Sequence, residues 1–476
     1  MVKRLESTFG NQIRVYHSRY TSNERVEVWN RVLHGKCSFV LGTRSAVFLP
    51  FDHLQLIIVD EEHETSYKQQ DPAPRYHARD AALVLAQLHH AKTVLGSATP
   101  SIESYYNAHN NKYGLVKLRE RFGKTSLPEI ILADIRMERA KKTMRQDFTK
   151  ALFDALRKTL SQQAQAIIFQ NRRGYSPYIT CTTCAWVPMC TQCAVSLTYH
   201  QLHHSLCCHY CGYNIQIPPV CHLCGSPQLR YIGFGTEKLE ETLKGFFPEK
   251  KIQRMDLDTT RGKYNHDKLI ETFEQGITDI LVGTQMLTKG LDFGQVSLVG
   301  VLDVDRLLYF PDFRANERCL QLITQVSGRA GRRTTQGMVI IQTNNPQHPV
   351  FKDIIQHDYG QMYRRELKER EQFLYPPYVR LIRITIKHID QDQAKAAANI
   401  LAQVLHKLLG EGVLGPQTPL ISKIKKQYRI DIWIKIKKKK EQTLVSTKQV
   451  IVQESKRLLH TKTFQKVKVL LDVDPV

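Results

Sequence analysis

Eight cysteines of this 476-residue chain fall into four pairs, Cys181/Cys184, Cys190/Cys193, Cys208/Cys211 and Cys221/Cys224, each with two residues between its members. That spacing forms a knuckle from which both thiolates reach one Zn²⁺ at about 2.3 Å, and two pairs complete a tetrahedral site. Four pairs therefore make two sites. Both are structural, because thiolates fill every coordination position and leave none for a reactive water. Cys207 is off this register, and a complete cysteine set makes His200, His203, His204 and His209 unnecessary as ligands. Free or redox-active thiols are the competing reading; the clustering of nine of the eleven cysteines between residues 181 and 224 argues for metal.

A second chemistry is suggested by acids at the end of an apolar run, Leu56-Ile57-Ile58-Val59-Asp60-Glu61-Glu62-His63. This is the arrangement of a Walker B site. Asp60 would hold Mg²⁺ through water, and Glu61 would polarise the water that attacks a γ-phosphate. Alone, such a run is equally a solvated strand edge. It gains meaning from Gly96-Ser97-Ala98-Thr99-Pro100, one helix and one strand later, whose small hydroxyl residues could link nucleotide state to strand binding. Further on come Gly283-Thr284-Gln285-Met286-Leu287-Thr288-Lys289-Gly290-Leu291-Asp292-Phe293 and Gln325-Val326-Ser327-Gly328-Arg329-Ala330-Gly331-Arg332. Arg329 and Arg332 are candidate fingers that would stabilise transition-state charge on a triphosphate. Each run alone could be an ordinary turn; all four in this order make coincidence a poor account.

The elements that must position these groups read as α/β. Residues 1 to about 370 alternate short apolar runs with longer amphipathic segments. Leu56–Val59, Ala166–Phe169, Leu298–Leu302 and Met338–Ile341 are expected as strands of parallel sheets buried on both faces. The segment 176–230, rich in Cys, His, Pro and Tyr, interrupts the pattern. After Tyr375-Pro376-Pro377-Tyr378 a third zone holds a strand over Arg380–Lys387, a helix over Gln391–Leu409, an alternating run Tyr428–Lys437, and a last helix and strand. Lys and Arg exceed Asp and Glu by 68 to 45, a net charge of +23 that favours polyanionic partners. Between 421 and 476 the count is 15 to 5, including Lys437-Lys438-Lys439-Lys440, so a phosphate-contacting surface competes with a merely solvated one. Neither a bilayer-spanning run nor a signal-peptide core is present, and a cytoplasmic location is expected.

The order of the motor runs resembles superfamily 2 helicases, with two RecA-like lobes. Ser66-Tyr67-Lys68-Gln69-Gln70, Arg75-Tyr76-His77-Ala78-Arg79-Asp80, the paired cysteines, Gly233-Phe234-Gly235-Thr236-Glu237 and Leu471-Asp472-Val473-Asp474-Pro475 narrow it. Together they are similar to the primosomal protein N′ family, bacterial replication-restart helicases. The resemblance implies a first lobe over 1–130, a second over 131–175 and 231–370, a two-zinc insertion over 176–230 and a small C-terminal α/β domain over 377–476. It implies an ATP-dependent 3′-to-5′ DNA helicase that binds stalled or abandoned forks and promotes reloading of the replicative helicase. The implied partners are single-stranded and forked DNA, single-strand-binding protein and other primosome proteins. One zinc would take Cys181, Cys184, Cys221 and Cys224, the other Cys190, Cys193, Cys208 and Cys211. Nucleotide contacts would fall at Gly290, Asp292 and Gln325. Candidate DNA contacts are Arg44, Tyr67, Lys68, Arg75, Tyr76, Arg79, Arg172 and Lys289, the segment Tyr67–Arg79 being a loop that couples DNA contact to the ATP site.

One part is not found. A motor of this class needs G-x-x-x-x-G-K-[ST], whose amides and Lys cradle the phosphates. Gly123-Lys124-Thr125 has Leu118 where the first Gly belongs, and Gly35-Lys36 is followed by Cys37. The first lobe is therefore expected to be incomplete, through a misplaced start, a split gene or a genuine short form. ATP·Mg²⁺ use would be impaired. The alternative is a zinc-containing scaffold that binds DNA and protein without motor activity.

Overall fold

The computed structural model describes residues 2–17, 20–118, 120, 126–170, 178–193, 195–200, 205–232, 239–255, 265–284, 293–331, 336–437 and 441–476. The chain divides into two compact units. Unit 1 comprises Met1–Tyr113 together with Asp472–Val476, and unit 2 comprises Gly114–Leu471. No helix among the described residues is long and apolar enough to cross a membrane.

Unit 1 opens with helix α1 (Val2–Phe9), strand β1 (Ile13–Tyr16), helix α2 (Ser22–Leu33) and strand β2 (Phe39–Gly42). Thr21 and Glu24 close a capping box that fixes the start of α2 by satisfying amides the first turn leaves over. Strands β1 and β2 pair in parallel. Strand β3 (Leu56–Asp60) is followed by helix α3 (Ala78–Leu88), strand β4 (Lys92–Gly96) and helix α4 (Ile102–His109). Strands β3 and β4 form a parallel two-stranded sheet in which Asp60 is level with Gly96. Helix α3 presents a small-residue stripe, Ala78, Ala82 and Ala86, as its buried face. The expectation that β3 is buried on both sides fails: Leu56 is 50% and Ile58 62% exposed. The physical reason is that a two-stranded sheet covered on one face leaves alternate side chains in water.

Unit 2 is built on six parallel strands in the order β12-β13-β6-β14-β15-β5. In chain order it begins with β5 (Glu129–Asp134), α5 (Ile135–Ala140), α6 (Lys150–Ser161) and β6 (Gln165–Gln170). Asp134 and Thr149 cap the two helices through their side chains. Five short strands follow around the cysteines: β7 (Tyr178–Cys181), β8 (Thr198–His200), β9 (Ser205–Cys207), β10 (Asn214–Gln216) and β11 (Leu229–Ile232). The sheet then resumes with α7 (Leu239–Phe246), β12 (Ile252–Met255), α8 (Asn265–Glu274), β13 (Ile280–Gly283) and β14 (Val296–Leu302). It ends through α9 (Asp305–Leu308), α10 (Ala315–Ser327), β15 (Met338–Thr343), α11 (Pro349–Ile355) and α12 (Tyr359–Gln372). Here the apolar runs behave as expected, with Ala166–Phe169 and Val299 fully buried.

The third zone folds as β16 (Val379–His388), α13 (Gln391–Leu409), β17 (Val413–Gln417), β18 (Lys423–Ile424), β19 (Gln427–Lys437), α14 (Glu441–His460) and β20 (Lys468–Val473). Its sheet runs β17-β19-β16-β20, with β18 paired to β19. Ala394, Ala397, Ala398, Leu401 and Leu405 repeat at helical spacing along α13 and are buried in one core with Ile382, Ile384, Ile432 and Ile434.

Close backbone approach fixes the Gly328-Arg329-Ala330-Gly331 turn. A Cβ at Gly337 would lie 2.5 Å from the carbonyl carbon of Ala330 and 2.6 Å from the nitrogen of Gly331. Gly337→Ala is therefore expected to displace that turn and to destabilise unit 2 by about 1–3 kcal/mol, the usual cost of overpacking. Urea denaturation of wild type and variant checks it; equal midpoints would refute the close approach.

Candidate functional site

The described cysteine sulfurs gather into two groups, Cys181/Cys184/Cys221/Cys224 and Cys190/Cys193/Cys208/Cys211, with all ligand atoms of a group within 4.8 Å of one another. The grouping is nested, the inner two pairs sharing one centre and the outer two the other. Local backbone geometry repeats from knuckle to knuckle. The amides of Cys181, Cys190, Cys208 and Cys221 donate to the carbonyls of Trp186, Val195, Tyr213 and Ser226, each five residues on. The carbonyls of Cys181, Cys208 and Cys221 accept from Ala185, Gly212 and Gly225. Those three residues have φ of 63°, 81° and 72°, the left-handed conformation that closes the turn just after the second cysteine of each pair.

The sulfur separations test whether a metal fits. Cys181–Cys224 is 3.6 Å, Cys184–Cys221 3.5 Å and Cys190–Cys211 3.6 Å. A tetrahedron with metal–sulfur distances of about 2.3 Å has edges of about 3.8 Å, whereas a disulfide would need about 2.0 Å. The donor set fits a tetrahedral, thiophilic ion. In the inner group, hydrogen bonds with Cys190 pull the Cys211 thiol far below its ordinary range and push Cys193 far above it.

The inner centre is also the seat of a larger core. Cys190, Cys193 and Cys208 pack with Phe313, Tyr375, Leu381 and Trp433. The Tyr375 hydroxyl donates to the Cys193 carbonyl at 2.9 Å, and its ring stacks on Phe313 at 4.1 Å. His209 Nδ1 lies 2.7 Å from the Thr418 carbonyl oxygen, and Gln417 Nε2 donates to Cys207 Sγ at 3.3 Å. Lys435 lies 4.0 Å over the Tyr375 ring and donates to the Phe373 carbonyl at 2.6 Å. Arg370 and Glu317 form a fully buried ion pair nearby. The outer centre sits on β7 and β11, with Arg136 donating to the Thr183 carbonyl at 3.0 Å.

In unit 1, Asp60 ends β3 with an exposed carboxylate whose Oδ1 accepts from the Glu61 amide at 3.1 Å. Glu61 adopts φ 48°, and its Oε2 lies 3.6 Å from His63 Nδ1. His63 Nδ1 in turn is 2.7 Å from the Ser97 hydroxyl, so the acid run and the Gly96–Pro100 turn are in direct contact. The residue that sequence reasoning left without a role is Glu62. Its carboxylate is buried and accepts from the Ser101 amide at 2.6 Å, from the Ser101 and Ser104 hydroxyls at 3.1 and 2.8 Å, and from Arg79 at 2.9 Å. A hint was legible: D-E-E-H offers one acid more than metal and water activation require.

The candidate DNA contacts in unit 1 are mostly engaged within the protein. Arg79 binds Glu62 and Asp80, and Lys68 is 3% exposed with its ammonium 3.0 Å from Asp472, so both charges are held by acids of the protein. Both lie where a buried acid demands a counter-charge. Arg44 donates to the carbonyls of Ser66 and Lys68 at 3.3 and 3.0 Å. The Tyr67 hydroxyl donates to the Asp60 carbonyl at 2.7 Å, and burial pushes its pKa up to about 12. Tyr76 meets Phe48 edge to face at 4.7 Å, and Arg75 donates to the Gln70 carbonyl. A bridge between Lys68 and His77 closes this loop. Burial, aided by Arg79, lowers the His77 pKa to about 4, so its ring is neutral near pH 7. In unit 2, Arg329 is buried after α10, and Gln325 lies within α10. Arg172, Gly233–Glu237, Lys289, Gly290, Asp292 and Arg332 lie outside the described residues, as does Gly123-Lys124-Thr125.

Arg79→Ala would leave the Glu62 carboxylate buried without its cation. The expected loss is about 3–5 kcal/mol in unit 1, read as faster amide exchange in α3 and α4. Unchanged exchange there would show that the ion pair holds nothing.

Family profiles match four segments: DEAD/DEAH box helicase over 1–108, helicase conserved C-terminal domain over 231–334, PriA DNA helicase Cys-rich region over 190–215, and primosomal protein N C-terminal domain over 371–476. Replication restart protein PriA of Bacillus subtilis (strain 168) is 41% identical over 477 residues, covering all of this chain and 58% of the relative. The PriA proteins of Synechocystis sp. and Haemophilus influenzae are 42% and 38% identical, covering 91% and 100% of this chain and 53% and 64% of themselves. The chain thus spans between 53% and 64% of the length of these curated relatives. With α/β helicase segments, a region with two four-cysteine groups and a matching C-terminal domain, the chain belongs to the replication restart protein PriA family of superfamily 2 helicases.

Proposed function

We propose that this chain is the motor and C-terminal portion of an ATP-dependent 3′-to-5′ DNA helicase that binds stalled or abandoned forks and promotes reloading of the replicative helicase. The observation that carries the reading is the wiring of Asp60-Glu61-Glu62-His63 to the Gly96–Pro100 turn and Ser101 through His63–Ser97 and Glu62–Ser101. A solvated strand edge has no need of a buried glutamate with four donors. Asp60, exposed at the strand end, is the group suited to hold Mg²⁺ through water, and Glu61 beside it to orient the attacking water. Bound ATP·Mg²⁺ would supply the phosphoryl group whose hydrolysis drives movement. Arg329 and Arg332 are proposed as charge-stabilising arginines, and Gly290, Asp292 and Gln325 as nucleotide contacts. Strand contacts are proposed for Arg44, Tyr67, Lys68, Arg75, Tyr76, Arg79, Arg172 and Lys289, with the net charge of +23 drawing in the phosphate backbone. Single-strand-binding protein and other primosome proteins are the proposed partners, in the cytoplasm. The proposed divisions are lobe 1 over 1–130, lobe 2 over 131–175 and 231–370, the zinc module over 176–230 and the C-terminal domain over 377–476.

The two four-sulfur groups are proposed to bind structural Zn²⁺. Elemental analysis should find two zinc ions per chain, falling to one in Cys208→Ser and in Cys221→Ser, each variant emptying a different centre. Two zincs retained in either variant would refute the four-sulfur assignment.

A second reading, a DNA- and protein-binding scaffold, is favoured by the net charge of +23 and the two four-cysteine groups, neither of which needs ATP. Residues 1–476 hold no G-x-x-x-x-G-K-[ST], and purified by themselves they are expected to bind ATP weakly and to turn over far below the roughly 1–1,000 s⁻¹ of ordinary enzymes. Robust DNA-stimulated ATPase activity would refute that. Glu61→Gln separates the two readings in cells: loss of restart supports the motor, and full restart supports the scaffold.

A further inference from the structure

Lys68 and Asp472 are 404 positions apart, yet both belong to unit 1, because residues 472–476 are part of it. The Lys68 ammonium lies 3.0 Å from Asp472 Oδ1 and donates to the Val473 carbonyl at 2.5 Å. The two side chains are 2% and 1% exposed. A lysine placed there for solubility would extend its head into water; this one is taken fully out of it by the end of β20.

The position of Lys68 gives that contact reach. It follows Tyr67, whose hydroxyl holds the carbonyl of Asp60, and it pairs across the loop with His77. Arg44 fastens the Ser66 and Lys68 carbonyls from the other side. The loop tip, Gln70-Asp71-Pro72-Ala73-Pro74, is exposed, so the loop has a solvated end and an end tied down by residues 472–473.

The geometry points to a latch: Asp472 and the Val473 carbonyl sequester the Lys68 ammonium, and a single-stranded nucleic-acid backbone competes with them for it. A phosphate is the natural rival of a carboxylate for one lysine, since the two groups offer equivalent charge-assisted hydrogen bonds. Removing Asp472 leaves a lysine whose burial is uncompensated, which favours release of the loop. Residues 472–476 thereby set how readily the loop beside Asp60 engages a strand. This rests on the proposed DNA-binding role of that loop.

The test is hydrogen exchange on wild-type 1–476 with a fluorescent oligothymidylate, whose binding is followed independently by anisotropy. Amides of 472–476 should lose protection as the oligonucleotide saturates. Asp472→Asn should bind severalfold more tightly than wild type, and Lys68→Gln/Asp472→Asn should bind no better than Lys68→Gln. Binding with residues 472–476 still protected, or an Asp472→Asn affinity at or below wild type, overturns the latch alone. No binding by any variant overturns the DNA-binding reading and the latch with it. The wild-type measurement needs no substitution, so a variant that fails to fold does not stand in the way.

Discussion

Holding four sulfurs within 4.8 Å of one another, twice over, is the demand around which the middle of unit 2 is organised. Four thiolates repel, and only a cation among them makes the arrangement stable. The surrounding strands of three or four residues are too short to build a core of their own. The inner centre supplies what they lack. Phe313, Tyr375 and Trp433, drawn from three distant stretches of sequence, pack around its cysteines. Tyr375 fixes itself to Cys193, and the Thr418 and Gln417 segment is tied on through His209 and Cys207. The centre is thus a joint between the helicase sheet and the third zone, with Leu381 of β16 and Trp433 of β19 packed in its core.

A comparable constraint governs unit 1, in the form of a buried carboxylate. Glu62 draws together the end of β3, the first turn of α3 and the start of α4 because each contributes a donor it requires. Loss of any one donor leaves charge under-satisfied in a dry site, where the penalty is largest. Its neighbours in sequence, Asp60 and Glu61, remain accessible. Adjacent acids therefore divide labour by environment: one organises, and two face solvent.

Much of this was legible beforehand. Periodicity placed α13 over Gln391–Leu409 and the strands of the parallel sheet, since a helix of alternating small and large apolar residues has few other uses. The cysteine spacing announced two four-sulfur groups, because knuckle geometry is local. Their nested sharing was not derivable from spacing and came through resemblance. What could not be read were contacts whose partners are hundreds of residues apart. Nothing local to Lys68 distinguishes it from a surface lysine, and only Asp472 gives it a reason to be buried. The half-exposed β3 misled for a related cause: an apolar run reports what a strand can bury, and the number of neighbouring strands decides what it does bury.

That half-exposure bears on how the acid site is held. With Leu56, Ile58 and Val94 all at least half exposed, β3 and β4 cannot rely on apolar packing from both sides to set the position of Asp60. The positioning falls to polar links at the strand ends: Glu62 to Ser101 and Arg79, His63 to Ser97, and the Tyr67 hydroxyl to the Asp60 carbonyl. Hydrogen bonds are directional where dispersion is not, so a few of them can fix a carboxylate on a thin sheet. They also transmit displacement. A shift of the loop bearing Tyr67 moves the carbonyl of Asp60, and a shift of the Gly96–Pro100 turn moves His63. In this unit the acids answer first to the segments that bond them and only second to a core.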